Sequence, residues 1–187
     1  EAYREFITDE EKPSLADQLQ EFLDSPEDSG LSVARCDVIA HSMGGLVARN
    51  YALQEKKIRR LITLGTPSYG GLFADTLPGQ VILNNQAKDL EYGALVTWKL
   101  HQKWSDLAQR EELPRTLTVV GTNDFGLGAY NQSDTVVTCS SASLENLGAR
   151  VYYVPLKHSG ALGPIGIDPI AKVLNTGHPS WDPIVDF

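Results

Sequence analysis

The stretch Cys36-Asp-Val-Ile-Ala-His-Ser-Met-Gly-Gly-Leu-Val-Ala-Arg49 carries the arrangement with the clearest chemical meaning. An apolar run through Val38, Ile39 and Ala40 leads straight into His41-Ser42-Met43-Gly44 and then into the helical spacing of Leu46, Val47 and Tyr51. A strand that turns so sharply into a helix thrusts the intervening hydroxyl out at the carboxyl end of the sheet on strained backbone, and small residues at Ala40 and Gly44 let strand and helix approach. Ser42 then stands at a helix N-terminus, where the Met43 N–H can donate to a developing oxyanion and the helix dipole favours that charge. This is nucleophile chemistry.

A serine hydroxyl needs a base, and the base needs an orienting carboxylate. Of the four histidines, His158 follows the last strand-like run, in Val154-Pro-Leu-Lys-His-Ser-Gly160, on the same carboxyl edge as Ser42. His41 is expected to point elsewhere on the turn. His101 is expected to lie within a helix and His178 in a terminal Thr-Gly-His-Pro loop, all three in structural or solvent-facing roles. Two carboxylates suit the third role, Asp124 and Asp134. Asn123-Asp124 also reads as an ordinary turn pair whose side chains bond their own backbone.

Strand-like and helix-like segments take turns along the chain, which predicts an α/β fold with a mostly parallel sheet flanked by helices. A helix follows Ser14 through Leu15, Leu19, Phe22 and Leu23. The strand Val33 to Ala40 precedes a helix from Gly44 to Gln54, and further strands run over Ile58 to Leu64, Thr116 to Val120 and Val151 to Val154. Residues 1–187 are read as a single domain. The stretch 68–113 exceeds a normal strand-to-helix connection and reads as an insertion. It is apolar at Leu72, Phe73, Leu77, Val81, Ile82 and Leu83, as a lid would be, and carries an amphipathic helix from Leu95 to Leu107 with Trp98 and Trp104.

At 187 residues, with 42% hydrophobic and 21% charged residues, the chain is sized and composed for one folded core. Its formal charge of -8 repels phosphate backbones, so nucleic acid is not expected as a partner. The apolar runs are too short to span a bilayer. Neither a metal-ligand spacing, a phosphate-binding Gly-rich loop nor a dinucleotide fingerprint is present, so no metal and no cofactor are expected. Cys36 and Cys139 fall at opposite ends of the strands and are expected to be free thiols. Nothing in the composition assigns a compartment.

The Ala-His-Ser-Met-Gly-Gly turn resembles the nucleophile elbow of α/β-hydrolases of the lipase and carboxylesterase kind, with Ala40 where most members carry glycine. Leu64-Gly-Thr-Pro-Ser-Tyr-Gly-Gly71 resembles the family's Leu-Gly-Thr-Pro-His-x-Gly segment, with Ser68 in place of histidine. The resemblance implies an order of Ser42, an acidic residue and His158. It favours Asp134 over Asp124 because an acid, a small residue and two valines precede a Ser-rich segment. It makes Thr66 and Tyr69 candidates for the substrate pocket, and implies a small or lipid-like ester as substrate.

The same resemblance shows what is missing. Too little chain precedes the elbow strand for the family's upstream strands, and no His-Gly marks a second oxyanion loop. The chain is therefore read as the C-terminal part of the fold and as a fragment, whose bare edge at Val38 and Ile39 is expected to promote self-association. The function expected is serine ester hydrolysis. The alternatives are acyl transfer or thioester cleavage by the same groups, or a hydrolase-like binding module without turnover.

Overall fold

Four parallel strands, β1 (Cys36–His41), β2 (Ile58–Leu64), β3 (Arg115–Gly121) and β4 (Arg150–Val154), lie side by side in the order β1-β2-β3-β4. The computed structural model that shows them describes residues 15–24, 35–71, 87–123 and 132–175. β2 and β3 are central and buried on both faces: Leu61, Ile62, Thr63, Leu64, Leu117, Thr118, Val119 and Val120 are all enclosed. Parallel strands covered on both sides read as continuous apolar runs, which is why the sequence marks them so clearly. β1 and β4 are the edges among the described residues, and each exposes a large apolar side chain, Ile39 at 51% and Tyr153 at 41%.

Because side chains alternate along a strand, the sheet supports two cores. On one face, Ala40, Ile58 and Leu61 pack with Leu46, Ala48 and Tyr51 of α2 (Met43–Gln54). After the short α3 (Ala87–Leu90), Leu100 and Trp104 of α4 (Leu95–Gln109) join them, and Leu19 of α1 (Leu15–Asp24) lies against the cluster. On the other face, Ile62, Leu64, Leu117, Val119 and Val154 meet Ala161 and Ile170, the latter from α6 (Pro164–Asn175). A third small cluster joins Val120 to Val137 and to Ala142 of α5 (Cys139–Ala142).

The expected α/β architecture is therefore present, with β2, β3 and β4 placed within a residue of their sequence reading, while β1 begins at Cys36 rather than Val33. Val33, Ala34 and Ser14, and the lid candidates Leu72 to Leu83, lie outside the described residues. Within the insertion, α4 is part of the body. Trp104 is 1% exposed, its Nε1 donates to the carbonyl of Arg49 at 3.0 Å, and the Arg49 guanidinium lies 4.8 Å from its ring centroid. Trp98 faces outward, 51% exposed. Cys36 and Cys139 are both free. No described helix is long and apolar enough to cross a membrane.

Candidate active site

The carboxyl ends of β1, β2 and β3 converge on one place. β1 ends at His41, and Ser42 turns the chain into α2 with φ 53 and ψ -131, a backbone region that side-chain-bearing residues rarely occupy. The turn is held from both sides: the Ser42 N–H donates to Leu64 O at 2.9 Å, and the Gly45 N–H donates to Ser42 O at 3.0 Å. Ser42 precedes the helix yet makes no side-chain cap. Its Oγ faces His158 Nε2 at 2.9 Å instead. Met43 is the first residue of α2, where an amide has no acceptor within the helix.

His158 stands just past β4, at the start of the short 3-10 turn His158–Leu162. Its Nδ1 lies 2.7 Å from Asp134 Oδ2, and its backbone N–H donates to Asp134 O, also at 2.7 Å. Asp134 is 2% exposed. Burying a carboxylate demands that its oxygens be satisfied. Oδ1 accepts from the N–H of Val136 at 3.0 Å and of Val137 at 2.8 Å, which leaves Oδ2 for the imidazole. This tight loop, closed by the Ser133–Thr138 bridge, forces Thr135 to φ 87, an unfavourable value for a β-branched residue. Asp124, the other carboxylate weighed above, lies outside the described residues, as does His178.

Two glycines make room for the carboxylate. A Cβ on Gly65, at the end of β2, would stand 2.6 Å from Asp134 Oδ2, and one on Gly121, at the end of β3, would stand 2.6 Å from Asp134 Cβ. Neither was singled out for this purpose in the sequence, although each terminates a strand there. Ala40 and Gly44 face each other where strand meets helix, as expected, and a second, closer approach joins the elbow to the neighbouring loop. A Cβ on Gly44 would meet only Ala40 Cβ, at 4.0 Å, in ordinary contact. One on Gly45 would fall 2.0 Å from Thr66 Oγ1. Gly45 is therefore the residue that must lack a side chain.

Thr66 is fully buried, with its side chain turned toward Gly45. Tyr69 is half-buried on the same loop, and its hydroxyl donates to Asn146 Oδ1 at 3.0 Å and lies 3.0 Å from His101 Nδ1. Ser141 holds this loop: its Oγ accepts from the Tyr69 N–H at 3.1 Å and donates to Gly70 O, while its carbonyl accepts from the Ser68 N–H at 3.0 Å. Burial, and secondarily the positive charge of Arg49, push the His101 pKa down, which favours the neutral ring beside Tyr69. Burial, followed by the neighbouring Asp134, pushes the Cys139 thiol up and keeps it protonated. His41 does not point away from the site, as the sequence had led us to expect. Its Nε2 is 3.0 Å from the backbone oxygen of His158, and the two imidazole rings lie 4.7 Å apart.

Comparison with known proteins agrees with this architecture. A family model described as alpha/beta hydrolase fold matches residues 9–144. Among solved structures, the mature lipase BlEst2 of Bacillus licheniformis is similar with a TM-score of 0.64 and 20% identity, over 86% of this chain and 71% of that one. A hydrolase from Pseudomonas aeruginosa gives a TM-score of 0.51 at 19% identity, over 88% and 71% respectively. Phospholipase PlaB from Legionella pneumophila gives 0.53 at 19% identity, over 70% of this chain and 34% of that one, so the chain spans about a third of that protein. Identities this low express a shared fold. No curated protein sequence matches significantly.

Proposed function

The chain belongs to the alpha/beta hydrolase fold family, and from that premise we propose that it is a serine ester hydrolase working through an acyl-enzyme on Ser42. The observation that carries this reading is the continuous chain Ser42 Oγ, His158 Nε2, His158 Nδ1 and Asp134 Oδ2, with contacts of 2.9 and 2.7 Å. Its order is that of a nucleophile, a base and an orienting carboxylate. Ser42 Oγ attacks the ester carbonyl while its proton passes to His158 Nε2. Asp134, with its other oxygen occupied by two backbone N–H groups, stabilises the imidazolium that forms. The Met43 N–H donates to the oxyanion.

Collapse of the tetrahedral intermediate expels the alcohol, which takes the proton from His158. Water then attacks the acyl-enzyme and gives its proton to the same nitrogen, which passes it to Ser42 Oγ as the acyl–oxygen bond breaks and the acid departs. Tyr69 is assigned to the wall of the acyl site as a half-exposed ring, and Thr66 to the layer beneath it against Gly45. Of the segment 68–113, only the apolar stretch from Leu72 to Leu83 is assigned the role of a cap, since α4 of the same segment packs into the body. The lipase and phospholipase among similar folds support an ester with an apolar acyl chain as the substrate class.

The kinetic test is p-nitrophenyl butyrate hydrolysis by Ser42→Ala, Asp134→Asn and Asp124→Asn. Ser42→Ala and Asp134→Asn should each lose about a thousandfold or more in kcat, while Asp124→Asn stays close to wild type. Wild-type turnover by Ser42→Ala would refute the reading. The reverse ranking of the two aspartates would give the orienting role to Asp124.

A further inference from the structure

Besides its contact with Ser42, His158 is held at three points. Its backbone N–H and its Nδ1 both engage Asp134. Its backbone carbonyl is engaged by His41, 3.0 Å from Nε2. A carbonyl only accepts, so Nε2 of His41 is the donor and carries the proton. His41 also lays its ring against that of His158, with centroids 4.7 Å apart and planes inclined by 46°.

This places His41 between the two reacting groups. It is joined to Ser42 by a peptide bond and to the base by a hydrogen bond across 117 residues of sequence. His158 itself lies on a turn, between the exposed Lys157 and Ser159, and Lys157 provides no side-chain cap there. Asp134 fixes one side of that turn, through the ring and the amide. Further along, the turn is anchored by Ala161, buried in the core with Val119 and Ile170. The His158 carbonyl is therefore the remaining backbone polar group of that residue through which its approach to Ser42 Oγ can be set. The restraint on that carbonyl comes from the strand that carries the nucleophile.

We propose that His41 is a positioning residue that sets the approach of His158 Nε2 to Ser42 Oγ by donating Nε2–H to the His158 carbonyl. The proposal rests on the serine hydrolase reading given above. His41 touches no reacting atom in it. Its contribution is geometric and so belongs to turnover rather than to substrate binding, since misplacing a base by a fraction of an ångström weakens proton transfer while leaving the acyl site unchanged.

The test compares three variants of the purified protein in p-nitrophenyl butyrate hydrolysis and in the rate of phosphonylation by a fluorophosphonate, with the thermal midpoint as the control for folding. His41→Phe keeps a ring against His158 and removes the donor. His41→Gln places an amide N–H at the same bond distance from the backbone as Nε2. His41→Asn retains an amide that is one bond too short.

His41→Phe and His41→Asn should each lower kcat and the phosphonylation rate by about tenfold with KM little changed, and His41→Gln should recover to within about threefold of wild type. Wild-type kcat in His41→Phe and His41→Asn, or a His41→Gln variant as slow as the other two, would overturn the proposal. The Ser42→Ala control keeps the two ideas separable. Turnover that survives Ser42→Ala sinks the hydrolase reading, whereas a dead Ser42→Ala beside an unaffected His41→Phe sinks the role of His41 alone.

Discussion

A Cβ built on Gly65 would stand 2.6 Å from Oδ2 of Asp134 and 3.0 Å from Nδ1 of His158, against the hydrogen bond that joins those two side chains. Gly65 closes β2 at φ 51, with its N–H donating to Val119 O at 3.0 Å. The glycine thus has two independent reasons to lack a side chain: a left-handed backbone, and a carboxylate and imidazole packed over its Cα.

Gly65→Ala should therefore act on the site more than on the fold. The backbone conformation costs a residue with a Cβ roughly 1–2 kcal/mol. Displacing Asp134 from His158 by an ångström should lower kcat by about a hundredfold. Urea unfolding and ester kinetics on one sample separate the two effects, and an Ala variant that keeps wild-type kcat would show that the carboxylate is not held where the structure puts it.

The two glycines after Met43 should behave oppositely. Gly44 is exposed on α2 with free space for a methyl group, so Gly44→Ala should be neutral or stabilising by up to about 1 kcal/mol. Gly45→Ala would press its methyl into the buried Thr66 and should destabilise by about 2 kcal/mol or more. Chemical denaturation of both variants checks this ranking; equal stabilities would contradict the packing of elbow on loop.

At the far end of β1, the register slips between Cys36 and Asp37, so that Asp37 pairs with Arg60 and leaves Arg59 beside it. One carboxylate thereby reaches two guanidinium groups: Arg59 donates from Nε at 2.9 Å and from its terminal nitrogen at 2.6 Å, and Arg60 donates to the same carboxylate. The bond to Arg59, followed by that to Arg60, holds the Asp37 carboxyl well below the usual carboxylate range against the opposing effect of its burial. A carboxylate with a depressed folded pKa contributes stability above its unfolded value of about 3.9, and that contribution is lost as pH falls below it. The drop in unfolding free energy between pH 7 and pH 3 should be smaller in Asp37→Asn than in wild type. Identical pH profiles would show that the pair contributes nothing in solution.

What was legible in the sequence follows from burial. β2 and β3 are enclosed on both faces, and their unbroken apolar runs announce them, as does the strand, turn and helix around Ser42. The faces of α4 were less legible. Trp98 and Trp104 both fit an amphipathic pattern, yet six residues at about 100° each put them on different sides, and only the partner surface of α2 decides that Trp104 goes in. Gly44 and Gly45 are adjacent and chemically identical; which one faces Thr66 depends on a loop beyond the next strand. His41 was the least legible of all, because a hydrogen bond to the backbone oxygen of a residue 117 positions away leaves no trace in residue type or spacing. Asp134 was favoured over Asp124 only through the family resemblance; that its carboxylate accepts from the amides of Val136 and Val137, and is thereby held for the imidazole, is visible in the fold alone.

The most direct test of the account is to ask which atom of the protein is the nucleophile. Incubation with an alkyl fluorophosphonate, followed by peptide mass spectrometry, should find a single phosphonyl adduct on Ser42. The adduct should be absent from Ser42→Ala and should form at least a hundredfold more slowly in His158→Ala, where the base is gone. An adduct on another residue, or labelling of Ser42 at the wild-type rate without His158, would contradict the assignment of Ser42 and His158 as nucleophile and base.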